Sequence, residues 1–145
     1  MCGYLILNGG VDFNDPIWRK NGLKIFTTID ELITQLEEAK RIVKDRTRLF
    51  NFYKCNNFEK YQNKEFYPKL KRTILVFDEA AEFLDKSRYI TKEDQEKYVK
   101  IVNALSSLAG ISRAFGCNLC TITQRPSAKL IPEFLRTNSR LSFLF

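Results

Sequence analysis

Two adjacent carboxylates, Asp78 and Glu79, follow directly on Thr73 to Phe77, five residues that are β-branched or apolar without a break. Such a run suits a strand buried on both faces. A buried strand that ends in Asp-Glu sets both acids at the carboxyl edge of a parallel sheet, where open α/β sheets bind ligands. There an aspartate can help hold Mg²⁺, and the glutamate beside it can orient or activate an attacking water. The same residues also fit a strand that stops at a solvated acidic turn. A second apolar stretch, Asn118 to Thr123, ends in Gln124-Arg125-Pro126, again placing polar groups at a strand's carboxyl end.

The remaining chemistry-bearing residues point to fewer possibilities. Of the four cysteines, only Cys117 and Cys120 are closely spaced, and the chain has no histidine. In a strand, residues three apart face opposite sides, so this pair suits neither zinc nor a disulfide exchange site. Free thiols in a reducing compartment are the reading that remains. The net charge of +7 is compatible with nucleic acid or an anionic membrane surface, and equally with a lysine-rich solvated surface. No apolar run approaches the ~20 residues that span a bilayer. Met1-Cys2-Gly3-Tyr4 has no basic stretch of the kind that opens a signal peptide.

The elements that position the acids follow from the rest of the chain, whose 145 residues suit one domain or part of one. Tyr4 to Leu7 reads as a buried strand closed by Asn8-Gly9-Gly10, and Leu23 to Thr27 as a short extended segment. Thr28 and Glu31 form a capping box at the head of a long helix. Its apolar face runs through Ile29, Leu32, Ile33, Leu36 and Val43. Lys40, Arg41, Lys44, Arg46 and Arg48 load its later turns, as complements of the helix dipole or as a solvated face. Asn51 to Lys71 mixes aromatic and basic residues. These either stack nucleic-acid bases or pin a connection onto the domain.

After Asp78-Glu79 the pattern gives a short helix or loop to Arg88, then a long helix capped by Thr91 and Asp94. Gly116 stands where a helix-ending glycine belongs. Strand Asn118–Thr123, a short helix starting near Pro132 and a last strand Leu141–Phe145 complete the chain. Strands alternating with long helices predict an α/β fold with a mostly parallel sheet and helices on both faces.

These blocks together resemble the motor domain of FtsK/SpoIIIE-type DNA translocases, with the conjugation coupling ATPases an especially good match. The resemblance rests on ILVFDEAAEFL at the Asp78-Glu79 segment, the Walker B acids, and on Arg113-Ala114-Phe115-Gly116 at a helix end. Thr123-Gln124-Arg125-Pro126-Ser127 at a strand end, Ile131 through Leu135-Arg136-Thr137-Asn138, and Arg140-Leu141-Ser142-Phe143 complete it. The matching half begins near Ile74; Tyr4 to Arg48 follows the same layout with weaker motifs. The acidic residue usual after the family's first strand is replaced here by Asn8-Gly9-Gly10-Val11-Asp12.

The resemblance implies a partial RecA-like P-loop NTPase core. Asp78 would assist the Mg²⁺ site, Glu79 would activate water, and Gln124 would sense the γ-phosphate. Asp78, Gln124 and Arg125 would contact the nucleotide, while Arg113, Arg125 and Arg140 are candidates for inter-subunit or phosphate contacts. It further implies ATP with Mg²⁺ as cofactors, double-stranded DNA as partner, a homo-hexameric parent ring and a cytoplasmic site of action, with any membrane anchor in parent segments outside this sequence. Chromosome segregation, sporulation and conjugative transfer all use such motors.

One departure outweighs these matches. No G-x-x-x-x-G-K-(S/T) segment occurs in the 145 residues, so nothing offers the amide cradle and lysine that hold nucleotide phosphates. The expectation is a single partial motor domain over residues 1–145, beginning after the P-loop and ending before the domain does, inactive as an ATPase by itself. Two alternatives are a non-catalytic protein that binds intact motor subunits through a retained ring interface, and a basic α/β domain of unrelated function. In motors of the family it resembles, the P-loop strand lies between the counterparts of Asn118–Thr123 and Leu141–Phe145. The resemblance therefore implies that Thr73–Phe77 lies between Tyr4–Leu7 and Asn118–Thr123, and that Leu141–Phe145 stays apart from the latter.

Overall fold

The computed structural model describes residues 3–7, 20, 24–122 and 132–138. Its described strands are β1 (Gly3–Leu7), β2 (Lys24–Phe26), β3 (Thr73–Phe77) and β4 (Cys117–Thr121). The helices are α1 (Ile29–Phe52), α2 (Phe58–Gln62), α3 (Ala81–Leu84), α4 (Lys92–Ile111) and α5 (Glu133–Asn138). The four strands form one parallel sheet in the order β2-β1-β3-β4. The expected placement of β3 between β1 and β4 is therefore what the chain adopts. Leu141–Phe145, whose position beside β4 was also at issue, lies outside the described residues.

Both long helices begin as the sequence predicts. The Thr28 hydroxyl accepts the Glu31 amide and the Glu31 carboxylate accepts the Thr28 amide; Thr91 and Asp94 repeat the arrangement at the head of α4. Each box satisfies donors that the first turn leaves without intrahelical partners. Leu32, Leu36, Ala39 and Val43 of α1 face Ile101, Ala104, Leu105 and Leu108 of α4 in one core, which also takes in Leu75, Phe77 and Cys117 from the sheet. α1 and α4 thus cover the same face. On the other face of β3, Ile74 and Val76 are only half-buried, so burial on both sides is incomplete among the described residues.

Of the two roles open to the basic residues of α1, complements of the dipole or a solvated face, most take the second. The helix continues to Phe52 and has no cation in its last turn. Lys40, Arg41 and Arg48 pair instead with Glu37, Glu38 and Asp45 along the exposed surface, contacts of small individual value. Arg46 turns inward. Its guanidinium donates to the carbonyls of Phe115 (2.7 Å), Gly116 (2.9 Å) and Lys71 (2.6 Å). It thereby ties α1 to the amino ends of β3 and β4, and burial lowers its pKa. Arginine suits this position because its planar fork spans several acceptors at once.

α1 ends in a Schellman motif. The Lys54 amide reaches the Asn51 carbonyl at 3.1 Å and the Cys55 amide the Phe50 carbonyl at 2.8 Å. Lys54 takes the left-handed backbone, φ 52°, where glycine is usual. The aromatic–basic stretch then folds back as a second small core of Phe50, Cys55, Phe58 and Tyr61, with Tyr53, Tyr67 and Leu70 against it. Most of its rings therefore pin the connection, one of the two roles its composition allowed. Gly116 closes the other side. At φ 69° it ends the 3-10 turn Ser112–Phe115, and a Cβ there would meet the Phe58 ring at 2.2 Å. Cys117 is buried and Cys120 exposed, the opposite facing that strand geometry requires.

Candidate active site

β3 delivers the acids to the carboxyl edge. Asp78, Glu79 and Ala80 form a turn between Phe77 and α3, with both carboxylate residues half-buried and Ala80 fully buried. The turn is fastened to the end of β4. The Ile122 amide donates to the Phe77 carbonyl at 2.8 Å, and the Ile122 carbonyl accepts the Ala80 amide at 2.9 Å. Behind the turn, the Glu82 amide returns to the Glu79 carbonyl at 2.9 Å, so α3 starts directly under the acids.

Glu79 holds φ 49°, the left-handed region. A side chain there costs roughly 1–2 kcal/mol against the ordinary backbone. Residues kept in such conformations concentrate at functional sites, where surrounding contacts over-determine them. Here the β3–β4 clasp on one side and α3 on the other supply that constraint. No feature of the sequence around Glu79 signals a left-handed residue; the fastening to Ile122, forty-three positions further on, imposes it.

Ile122 leads directly into Thr123 and Gln124, so β4 leaves the sheet at the same edge as the acids. Gln124, Arg125 and Arg140 lie outside the described residues. Arg113 is described, and it lies elsewhere. It sits in the 3-10 turn before β4, exposed, on the side of Glu59, whose carboxylate pKa is held down chiefly by the Arg72 guanidinium and in part by Arg113. Because Thr73 pairs with Cys117 and Phe77 with Thr121, Arg113 lies at the amino edge, roughly 15 Å along the strands from Asp78. Within one chain it does not face the acids.

Among the described residues no three His, Cys, Asp or Glu side chains converge on a metal position. Asp78 and Glu79 supply two neighbouring carboxylates at an open sheet edge. That donor set fits a Mg²⁺ held mainly by phosphate oxygens and water, since this ion keeps much of its hydration and takes few protein ligands. The G-x-x-x-x-G-K-(S/T) sequence that cradles nucleotide phosphates does not occur in the 145 residues.

The fold is α/β, a parallel sheet with an acidic pair at its carboxyl edge and capped helices packed against it, similar to that of P-loop ATPase domains. Comparison with known proteins agrees. No protein-family model matches the sequence, and no curated protein matches it significantly. Among solved structures, the pCW3 conjugation coupling protein TcpA, determined in monomer form with ATPγS, is similar over 94% of this chain at 31% identity and a TM-score of 0.83. ATPases 2 and 3 of EssC from Geobacillus thermodenitrificans cover 94% of the chain at 16% identity and TM-score 0.64. The cytoplasmic domain of the type VII secretion ATPase EccC from Thermomonospora curvata covers 95% at 16% identity and TM-score 0.66. The chain spans 38%, 24% and 16% of those three structures. The resemblance to FtsK/SpoIIIE-type motors, and to their conjugation coupling branch in particular, is borne out at the level of fold. No described helix is long and apolar enough to cross a membrane.

Proposed function

We propose that these 145 residues form part of an ATP-driven translocase of double-stranded DNA, of the FtsK/SpoIIIE-like kind used in conjugative transfer or DNA segregation. The observation that carries this reading is the Asp78-Glu79 turn, clasped at 2.8 and 2.9 Å to the end of β4 with Glu79 in the left-handed backbone. The ATPγS-bound coupling protein of similar fold supports nucleotide as the ligand.

In the motor, Asp78 would hold Mg²⁺ through water or directly, and Glu79 would accept a proton from the attacking water. Gln124, following the strand end fastened to the acids, would contact the γ-phosphate, with Arg125 near the nucleotide. Mg²⁺ bound there would neutralise charge developing on the transferred phosphoryl oxygens. Arg113, at the far edge, would reach a nucleotide only from a neighbouring subunit, as in a hexameric ring, and Arg125 and Arg140 are further candidates for inter-subunit or phosphate contacts. The phosphate cradle has to come from residues outside this sequence. DNA held in the ring through its phosphates would dissociate steeply with added salt.

The test is ATP hydrolysis by the motor that contains these residues. Glu79→Gln should abolish turnover and spare nucleotide binding, and Gln124→Ala should reduce hydrolysis more than binding. Hydrolysis left intact by Glu79→Gln would remove the assignment. A second reading, a non-catalytic partner of intact motor subunits, is favoured by the missing G-x-x-x-x-G-K-(S/T) sequence. Calorimetry on the 145-residue chain should detect no ATP binding at low micromolar concentration. Co-purification with a complete motor that lacks these residues would support the second reading over the first.

A further inference from the structure

The catalytic reading uses only the carboxyl edge of the sheet and leaves the opposite edge unexplained. There the charge is concentrated. Residues 51–72 carry six cations against two carboxylates, and one of those, Glu59, is taken up by Arg72 at 2.6 Å. Lys54, Lys60 and Lys64 are exposed and have no ion-pair partner among the described residues.

The same stretch shows two bare rings. Phe52 is 78% exposed and Phe66 94%. Each adjoins a packed ring in sequence. Phe52 lies edge-on to Tyr53 at 5.0 Å, and Tyr53 lies 4.1 Å from Tyr67, the residue after Phe66. Tyr61, buried beneath, stacks on Phe50 at 5.0 Å. Phe52 and the Tyr67 neighbour Phe66 thus flank a packed aromatic base, in the same stretch as lysines that have no ion-pair partner among the described residues.

We propose that this amino-edge module binds single-stranded nucleic acid, Phe52 and Phe66 stacking on bases while Lys54, Lys60 and Lys64 contact the phosphates. Base–aromatic stacking tolerates any sequence because every base has a π-face, and a cationic surround holds the backbone. A protein partner fits less well. Two rings of roughly 150–250 Å² each fall short of the ~800 Å² a side that a specific interface buries, and lysine is depleted in such interfaces. A duplex keeps its base faces covered, so it could use the lysines but not the rings. The site lies across the sheet from Asp78 and Glu79, so a strand bound here and a nucleotide bound there would not compete.

The experiment is fluorescence anisotropy of the 145-residue chain with labelled oligo-dT of about 20 nucleotides, longer than typical sites of roughly 4–16, without nucleotide. The expected result is saturable binding, weaker for the matching duplex and for added salt. Phe66→Ala should loosen it about tenfold, and Phe52→Ala with Phe66→Ala further. Phe66→Trp should hold or tighten it, whereas Phe66→Leu, which keeps apolar bulk without a flat face, should not. Matching thermal melts confirm that the variants fold. Three outcomes overturn the proposal: no binding; binding that falls with Lys54→Glu or Lys60→Glu but ignores every ring variant; or self-association abolished by Phe66→Ala, which would make the patch a protein interface. None of them bears on ATP hydrolysis, so this site and the nucleotide edge fail or stand separately.

Discussion

The carbonyl of Ile122 accepts the Ala80 amide at 2.9 Å, so the end of β4 is locked to the turn that carries both acids. Neither strand alone gives this geometry. The bond holds the residue after Glu79 in place and thereby keeps Glu79 in its left-handed conformation.

Glu79→Gly and Glu79→Ala separate the backbone contribution from the side chain. Both remove the carboxylate, but only glycine takes φ 49° without a Cβ penalty. The glycine variant should be more stable than the alanine variant by about 1 kcal/mol, read as the difference in chemical denaturation midpoints at unchanged slope. An alanine variant of equal or greater stability would show that the position is unstrained. Lys54, with φ 52° in its Schellman motif, should behave the same way. Lys54→Gly should raise stability by about 0.5–1 kcal/mol.

Arg46 fastens three segments through backbone carbonyls that few other donors can reach. Arg46→Met keeps the apolar stem and drops the guanidinium, leaving the Phe115 and Lys71 carbonyls short of a donor. The expected cost is about 1.5–3 kcal/mol in denaturant unfolding, the range for hydrogen bonds made by charged groups. Arg46→Lys should recover under half of it, since one ammonium cannot span all the acceptors. Full rescue by lysine would mean that charge alone matters at this position.

Burial pushes the Cys117 thiol from 9.0 up to about 11. The folded chain thus binds that proton more tightly than the unfolded chain. Its contribution is complete below 9.0 and is lost as pH rises through 9.0 toward about 11, at no more than ~1.4 kcal/mol per pH unit. Denaturation midpoints should fall more steeply with alkaline pH for the native chain than for Cys117→Ala. Parallel slopes would contradict this. Peptide mapping after brief alkylation should show Cys120 modified well ahead of buried Cys117 and Cys55.

The Tyr61 hydroxyl is buried without a hydrogen-bond partner among the described residues, and burial raises its pKa. Tyr61→Phe retains the ring that stacks on Phe50 and removes the unsatisfied oxygen. A thermal melt should show a gain of about 1 kcal/mol. A loss of similar size would indicate a partner for that oxygen.

Gly116→Ala tests the close approach of two segments. The new methyl must both adopt φ 69° and displace the Phe58 ring from 2.2 Å. A cost above ~2 kcal/mol is expected in equilibrium unfolding. A neutral result would show that the α2 segment shifts freely.

What the sequence determined by itself is what local chemistry decides. Thr28 with Glu31 and Thr91 with Asp94 start helices because their side chains satisfy nearby amides, whatever the rest of the chain does. Thr73 to Phe77 reads as a strand because its residue types suit no other buried element of that length, and the acids after it fall at the carboxyl edge by continuity. The motif order from Asp78 to Phe143 pointed to the motor fold that the similar structures bear out. Tertiary structure alone decided the rest. Arg46 looked like one more surface cation until the sheet placed three carbonyls within its reach. Arg113 is a candidate for inter-subunit or phosphate contacts by its motif, and only parallel pairing decides that it stands at the edge away from Asp78 of its own chain. The left-handed Glu79 depends on a hydrogen bond to Ile122. Each of these turns on which distant segments lie side by side, and pairing between distant segments is set by the packing of the whole sheet, to which no short window of sequence has access.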